Sequence, residues 1–396
     1  MPDARPAGRR RIPGHRAFFP AATLYAVLVV PASVASMLGV ISITPGLASP
    51  AGHAHEMLFG FALAVVAGNQ LGPRTRGDLA LLLVAWLLAR VAFVLAPGSV
   101  AAIATNVVFP ALLAWHVAPR LLASAKKWRN QALPAALLAI CASAVALTVT
   151  VALQGDASRA IVDVGVALFA TLLLFMGGRL IAPTVAGQVY RQGGNLDARV
   201  QPRIEGALVV AMGLAVLALV VEAFSTSEAV RWIAGTPLVL AGVLSAVRLV
   251  RWRLWRVRTR FDLLCLGSGY AWLALGLVLF GVAHARDTGR TQETLAIHVI
   301  TVGSLGTLTL NVMAMTQLLT LRRMPPASRL ALAGTLLLAI ATLSRAFAGY
   351  SATIGPLVVA AACWSGAYAL LLVLFSLARQ PSRAAAAPKE RTPLRA

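Results

Sequence analysis

Twelve long apolar runs separated by short polar gaps divide this chain, each about the length that crosses a bilayer as a helix. They fall at roughly 17–43, 54–72, 79–96, 100–122, 131–153 and 160–186, then at 204–224, 228–249, 262–284, 293–320, 329–349 and 353–378. Hydrocarbon offers the backbone no hydrogen-bond partners, so runs of this length must be helices. The expected fold class is therefore all-α, a polytopic membrane bundle of about twelve helices. Composition agrees, because 59% hydrophobic and 12% charged residues over 396 positions suits no water-soluble domain of this size. Three regions follow: a basic arm over 1–16, a single transmembrane domain over 17–378, and a basic tail over 379–396. The alanine, proline and arginine content of the tail predicts disorder.

The net charge of +22 is large enough to suggest nucleic acid, but its distribution argues otherwise. With the N-terminus inside, the inner gaps and tails hold 28 of the 35 cations. The outer gaps hold only Arg159, Arg231, Arg286 and Arg290. Hydropathy and the positive-inside rule thus agree on both termini being cytoplasmic. The run from Arg248 to Arg260, with Trp252 and Trp255 between its arginines, reads as a juxtamembrane connector with aromatic anchors. Membrane lipid is the expected partner and nucleic acid is not. The basic start leads into an apolar run too long for a signal peptide, so the first span is expected to stay as an anchor. Cys141, Cys265 and Cys363 lie far apart in apolar runs, without the spacing of a disulfide framework, a zinc site or covalently attached haem. Pro31, Pro110, Pro183, Pro237 and Pro356 lie inside spans and predict kinks.

Polar groups inside such a bundle are costly and mark function. Span 2 opens with Gly52-His53-Ala54-His55-Glu56-Met57 and continues through small and apolar residues to Gly68. A helix beginning near Ala54 would line up His53, Met57, Gly60, Ala64 and Gly68 on one stripe. His55 would then point roughly 160 to 200 degrees away. Such a stripe lets another helix or a flat cofactor approach the backbone. Span 10 repeats the device, with His298 heading a helix whose small face is Gly303, Gly306 and Thr307. Together they suggest two helices that bring imidazoles together near the outer surface, with glycines leaving room between.

Three further cations fall inside spans: Arg90 and Arg345 toward outer ends, Arg179 toward an inner one. His53, His55, His284 and His298 sit at outer ends as well, with Asp163 and Glu222 in the outer halves of their spans. This clustering at one depth is the main argument for a site. Imidazoles on different helices suit haem iron or copper, and methionine sulfur suits Cu(I) or an axial haem position. Arginines beside them match haem propionates through paired hydrogen bonds.

His-Ala-His-Glu-Met-Leu-Phe-Gly-Phe at 53–61 and His-Val-Ile-Thr-Val-Gly-Ser-Leu-Gly-Thr-Leu-Thr-Leu at 298–310, ending in Met313, resemble the NnrS family of bacterial membrane proteins. Gly177-Gly178-Arg179 is a weaker match, and the span pattern is similar over about 16–378. The resemblance implies a twelve-helix, multi-pass inner-membrane protein associated with the response to nitric oxide and containing haem and copper. It carries over His53, His55, Glu56, His298 and Met313, with His53, His55 and His298 as metal-ligand candidates. Non-covalent haem, of b type, is the expected cofactor, copper is a second candidate, and nitric oxide is a candidate ligand. This chain departs from the family pattern in having Ala314-Met315 after Met313 and Gly267 before Gly269-Tyr270. Those departures favour one haem site over a haem and copper pair.

The preferred expectation is therefore a haem-holding protein in nitric oxide tolerance or metal and redox homeostasis. Its haem would be held by imidazoles of spans 2 and 10, with Arg90 or Arg345 at the propionates. A conventional enzyme is the weaker expectation, since a haem and copper active centre with a second haem needs more intramembrane histidines than are present. A secondary transporter with a polar path through Arg179, Asp163 and Glu222 is one alternative. An accessory subunit without metal, using the small faces only for packing, is another.

Overall fold

The computed structural model describes residues 11–197, 200–225, 227–321 and 328–379. The basic arm before residue 11 and the tail from 380 onward lie outside the described residues, as do Arg199, Arg322 and Arg323. Within them the chain forms twelve long helical segments, eleven of which are each long and apolar enough to cross a membrane as one helix. The first is α1 (His15–Met37). The second, α2, is continuous over 50–70 but changes pitch: α-helical at Pro50–His55, π-helical at Glu56–Ala62 and α-helical again at Leu63–Gln70. Then come α3 (Arg76–Leu95), α4 (Val100–Ser124), α5 (Trp128–Ala152) and α6 (Ser158–Arg191). The next three are α7 (Pro202–Glu222), α8 (Glu228–Arg251) and α9 (Phe261–Arg286). The last three are α10 (Arg290–Thr320), α11 (Arg329–Ala348) and α12 (Gly355–Arg379).

Local chemistry sets where these helices start. The side chains of Ser49, Thr75 and Ser99 each accept from a backbone N–H in the first turn, at 3.1 Å, and so cap α2, α3 and α4. Ser49 is followed by Pro50, whose fixed φ suits the first helical position. The helix therefore begins at Pro50, a turn earlier than the Ala54 start expected from hydropathy, and His53 lies within it. Gly72, at φ +63°, turns the chain between α2 and α3.

On α3 the pattern of the bundle is plain. Leu81, Val84, Leu88, Val91 and Leu95 are exposed on one side, while Leu82, Trp86, Ala89, Arg90 and Phe93 are buried on the other. An apolar face left open in this way is the surface that lipid covers. The most enclosed crossings are α2, α6, α9 and α10. The first and last crossings close on each other, Trp364 and Ser365 of α12 donating to the Ala26 and Val27 carbonyls of α1 at 3.1 and 3.0 Å.

The end that charge counting assigns to the inside is tied by polar contacts. Strand β1 (Ile12–Pro13) pairs antiparallel with β2 (Pro73–Arg74), which puts the start of the chain beside the α2–α3 loop. Arg120 at the end of α4 donates to the Leu71 carbonyl of that loop at 2.7 Å, and Arg74 donates to the His116 carbonyl at 2.7 Å. Arg129 and Arg248 share Glu205, at 2.9 and 3.0 Å. Every segment joined here is one that charge counting assigns to the inside. Trp252 is not the lipid anchor expected of it: it is fully buried, 4.7 Å from the Tyr270 ring and beneath the Arg248 guanidinium, whereas Trp255 is exposed.

Candidate functional site

The two π-helical stretches among the described residues, Glu56–Ala62 and Val299–Gly306, each begin immediately after a histidine singled out by sequence, His55 and His298. A π turn bonds i to i+5 and so moves every following side chain off the α-helical register; such turns are frequent at functional sites. The single stripe expected from His53 through Met57 and Gly60 to Gly68 therefore does not form.

Glu56 is the centre of one polar group. Its carboxylate is fully buried and accepts from Arg90 Nη1 of α3 at 2.6 Å, and its other oxygen accepts from the Tyr25 hydroxyl of α1. His55 Nδ1 lies 2.9 Å from Glu56 Oε1, and His55 Nε2 lies 2.8 Å from Thr148 Oγ1 of α5. Arg90 also donates to Asn106 of α4, whose amide donates to the Ala89 and Ala102 carbonyls at 3.1 and 2.9 Å. The His55 ring stacks on Phe93 with centroids 3.8 Å apart. Three crossings thus meet on one carboxylate, and two more join the network through Arg90 and His55. Sequence reasoning missed Tyr25, Asn106 and Thr148, because a lone polar residue in an apolar run does not reveal its partner.

This arrangement corrects two expectations. Both ring nitrogens of His55 are engaged by protein, so His55 offers no lone pair to a metal. Arg90 is 3% exposed and its Nη1 and Nη2 are turned onto Glu56 and Asn106, so its guanidinium is directed into the protein and not at a propionate.

The second group is on the other side of α2. His53, His298 at the head of α10 and Arg345 on α11 lie within electrostatic reach of one another, although 245 residues separate the two histidines in sequence. His298 Nδ1 donates to the Thr294 carbonyl at 2.7 Å. That bond fixes the tautomer and leaves Nε2 with its lone pair. His53 Nδ1 is buried with no hydrogen-bond partner. Among the described residues no carboxylate pairs with Arg345, which is partly buried. Two imidazoles and an uncompensated guanidinium at one helix end can bind a metal complex that carries anionic groups of its own.

The remaining expected residues lie elsewhere. Met313 is fifteen residues past His298 in sequence, ~22 Å along a helix, and is fully buried with its sulfur 3.8 Å from the Thr23 hydroxyl. It cannot act with His298. Met57 is partly buried against the core. Arg179 is exposed at the inner end, donating to Asn130 at 3.1 Å and lying 5.9 Å from the Phe175 ring. The glycine faces hold aromatic side chains, not open space. A Cβ on Gly303 would come within 3.0 Å of Trp272, one on Gly306 within 2.9 Å of Trp364, and one on Gly68 within 2.6 Å of Phe19. Gly60 is covered by Arg90, Glu56 and Tyr25 themselves. A flat group lying over these glycines is therefore ruled out in this packing.

No curated protein and no solved structure matches the chain. A family model does, and it spans the bundle almost end to end. That model, described as NnrS protein, matches residues 13–379. The chain belongs to the NnrS family.

Proposed function

We propose that this membrane protein holds one haem at its outer end and acts in the response to nitric oxide, with His53 and His298 supplying the imidazoles. The observation that carries the reading is the convergence of these two histidines from distant parts of the chain on an arginine that has no carboxylate partner. The donor set fits haem better than a bare metal ion. A cation alone would be repelled by Arg345, whereas haem brings propionates that a guanidinium binds through two hydrogen bonds. Copper has weaker support, since Met313 is too far away to add a sulfur ligand. When bound, haem supplies a redox-active iron that takes nitric oxide as a ligand.

The protein's own residues have separate tasks in this reading. The Thr294 carbonyl holds the His298 ring in one tautomer and one orientation. Arg345 supplies positive charge for carboxylates. His53 and His298 are partly exposed, which gives a small diatomic molecule a short approach from outside. The Glu56 network holds α2 in place so that His53 keeps its direction. The nitric oxide part rests on the family resemblance. Transport has less support, because the charged groups lie toward the two ends of the bundle and the cavity between α2, α6, α9 and α10 is lined mainly by apolar side chains such as Val65, Phe169, Leu266 and Leu308.

The test is a reduced-minus-oxidised optical spectrum of the purified protein expressed with ample haem. Wild type should show a haem band that His53→Ala and His298→Ala remove or shift. His55→Ala should keep the band in whatever protein remains folded. A wild type without haem would overturn the reading.

A further inference from the structure

A second set of donor atoms gathers at the outer end, on crossings α6, α7, α9 and α10. His284, near the end of α9, donates from Nδ1 to the Glu222 carboxylate at the end of α7, at 3.0 and 3.1 Å from its two oxygens. This leaves Nε2 bearing the lone pair, and that atom is buried without a hydrogen-bond partner. Asp163 of α6 has a buried Oδ1 that is equally unpartnered. The two residues are only 8% and 5% exposed. One ligand atom from each of Asp163, His284 and Glu293, in the first turn of α10, lies within 4.8 Å of the other two.

Two buried and unpartnered atoms, His284 Nε2 and Asp163 Oδ1, beside the Glu293 carboxylate are unfavourable unless something positive joins them. Local charge points the same way. Arg159 is the cation that pairs with Glu293, its Nε 3.0 Å from Oε1 and its Nη2 on Oε2. Asp163, Glu222 and Glu293 bring three carboxyl groups to this end, and the ion pair of Glu293 is with that Arg159 guanidinium.

We propose that Asp163, His284 and Glu293 bind a divalent cation of the zinc class, with Glu222 orienting the imidazole. One nitrogen and two carboxylate ligands suit Zn²⁺. Magnesium and calcium prefer all-oxygen shells, and Cu(I) prefers sulfur. The carboxylate on the far nitrogen of a ligating histidine is the usual support for such a ligand. A cation here would clamp the outer ends of α6, α9 and α10, five residues before His298 on α10. The proposal does not depend on haem, because no residue is shared with the His53 and His298 pair.

The experiment uses tag-free, full-length protein in detergent, stripped with a chelator and then dialysed against Zn²⁺ with metal quantified per chain. Wild type should take up one Zn²⁺ per chain. Asp163→Asn and His284→Gln should lose it, and Glu222→Gln should bind it 10- to 100-fold more weakly. His53→Ala and His298→Ala should bind Zn²⁺ as wild type does, so the two sites fail or survive separately. Glu293→Gln lies at the partly exposed rim and should fold normally, so its loss of Zn²⁺ with an unchanged gel-filtration profile supports the site even if the buried variants misfold. A wild type that takes up no Zn²⁺ overturns the proposal, and so does Zn²⁺ retained at full affinity in the folded Glu293→Gln protein.

Discussion

At the scale of single residues, Glu56 is the most demanding position in the chain. It is fully buried, and its two oxygens receive Arg90, His55 and Tyr25 from three directions. Removing one partner of a buried ion pair leaves the other charge without compensation, at a cost of about 3–5 kcal/mol. Glu56→Ala should therefore sharply lower the unfolding midpoint of the detergent-purified protein. Tyr25→Phe removes one hydrogen bond to a charged acceptor and should cost less, about 1.5–3 kcal/mol. Chemical denaturation of the two variants beside wild type checks the order. The sequence marked Glu56, His55 and Arg90 as costly in a membrane, but it grouped them with His53 because all four share one depth. Depth is readable from position in a span; direction around the bundle is not.

At the scale of helices, α8 and α9 approach closely enough for their backbones to touch. A Cβ on Gly242 would come within 2.7 Å of the Ala274 carbonyl oxygen, and one on Gly281 within 2.5 Å of the Gly235 carbonyl oxygen. Small residues at such crossings let backbones touch without side chains between them. Gly242→Ala should push the two helices apart and destabilise the protein by about 1–3 kcal/mol. Gly213 on α7 meets nothing within 4 Å, so Gly213→Ala should stabilise it by up to about 1 kcal/mol through helix propensity. Opposite signs in thermal unfolding would separate packing from propensity. The glycines of α2 and α10, by contrast, make room for Phe19, Trp272 and Trp364. A glycine stripe in sequence reports space beside a helix and leaves open which side chain fills it. The π-helical stretches were hidden too, because a change of pitch arises from how neighbours pack against the turn.

At the scale of the whole molecule, the ionic contacts sort into two layers. Arg129, Glu205 and Arg248 lie at one end; Glu56 with Arg90, and His284 with Glu222, lie at the other. This is the alternation that the positive-inside rule assigns. Alkaline phosphatase fused after Asp156 should accordingly be active outside the cytoplasm, and the same enzyme fused after Asn195 should be inactive. Phosphatase assays on the two fusions read the result directly, and reversed activities would invert the topology. What the sequence determined alone was the membrane, the twelve helical segments, the end of the bundle at which each loop lies and the end at which polar groups collect. Those depend on hydropathy and charge summed along the chain, which neighbouring residues supply by themselves. Only the tertiary structure decided that His53, His298 and Arg345 come within electrostatic reach of one another, that His55 is spent on Glu56 and Thr148, and that His284 meets Asp163 and Glu293. These partners are set by rotation and neighbour order of the helices, which depend on packing between segments hundreds of residues apart.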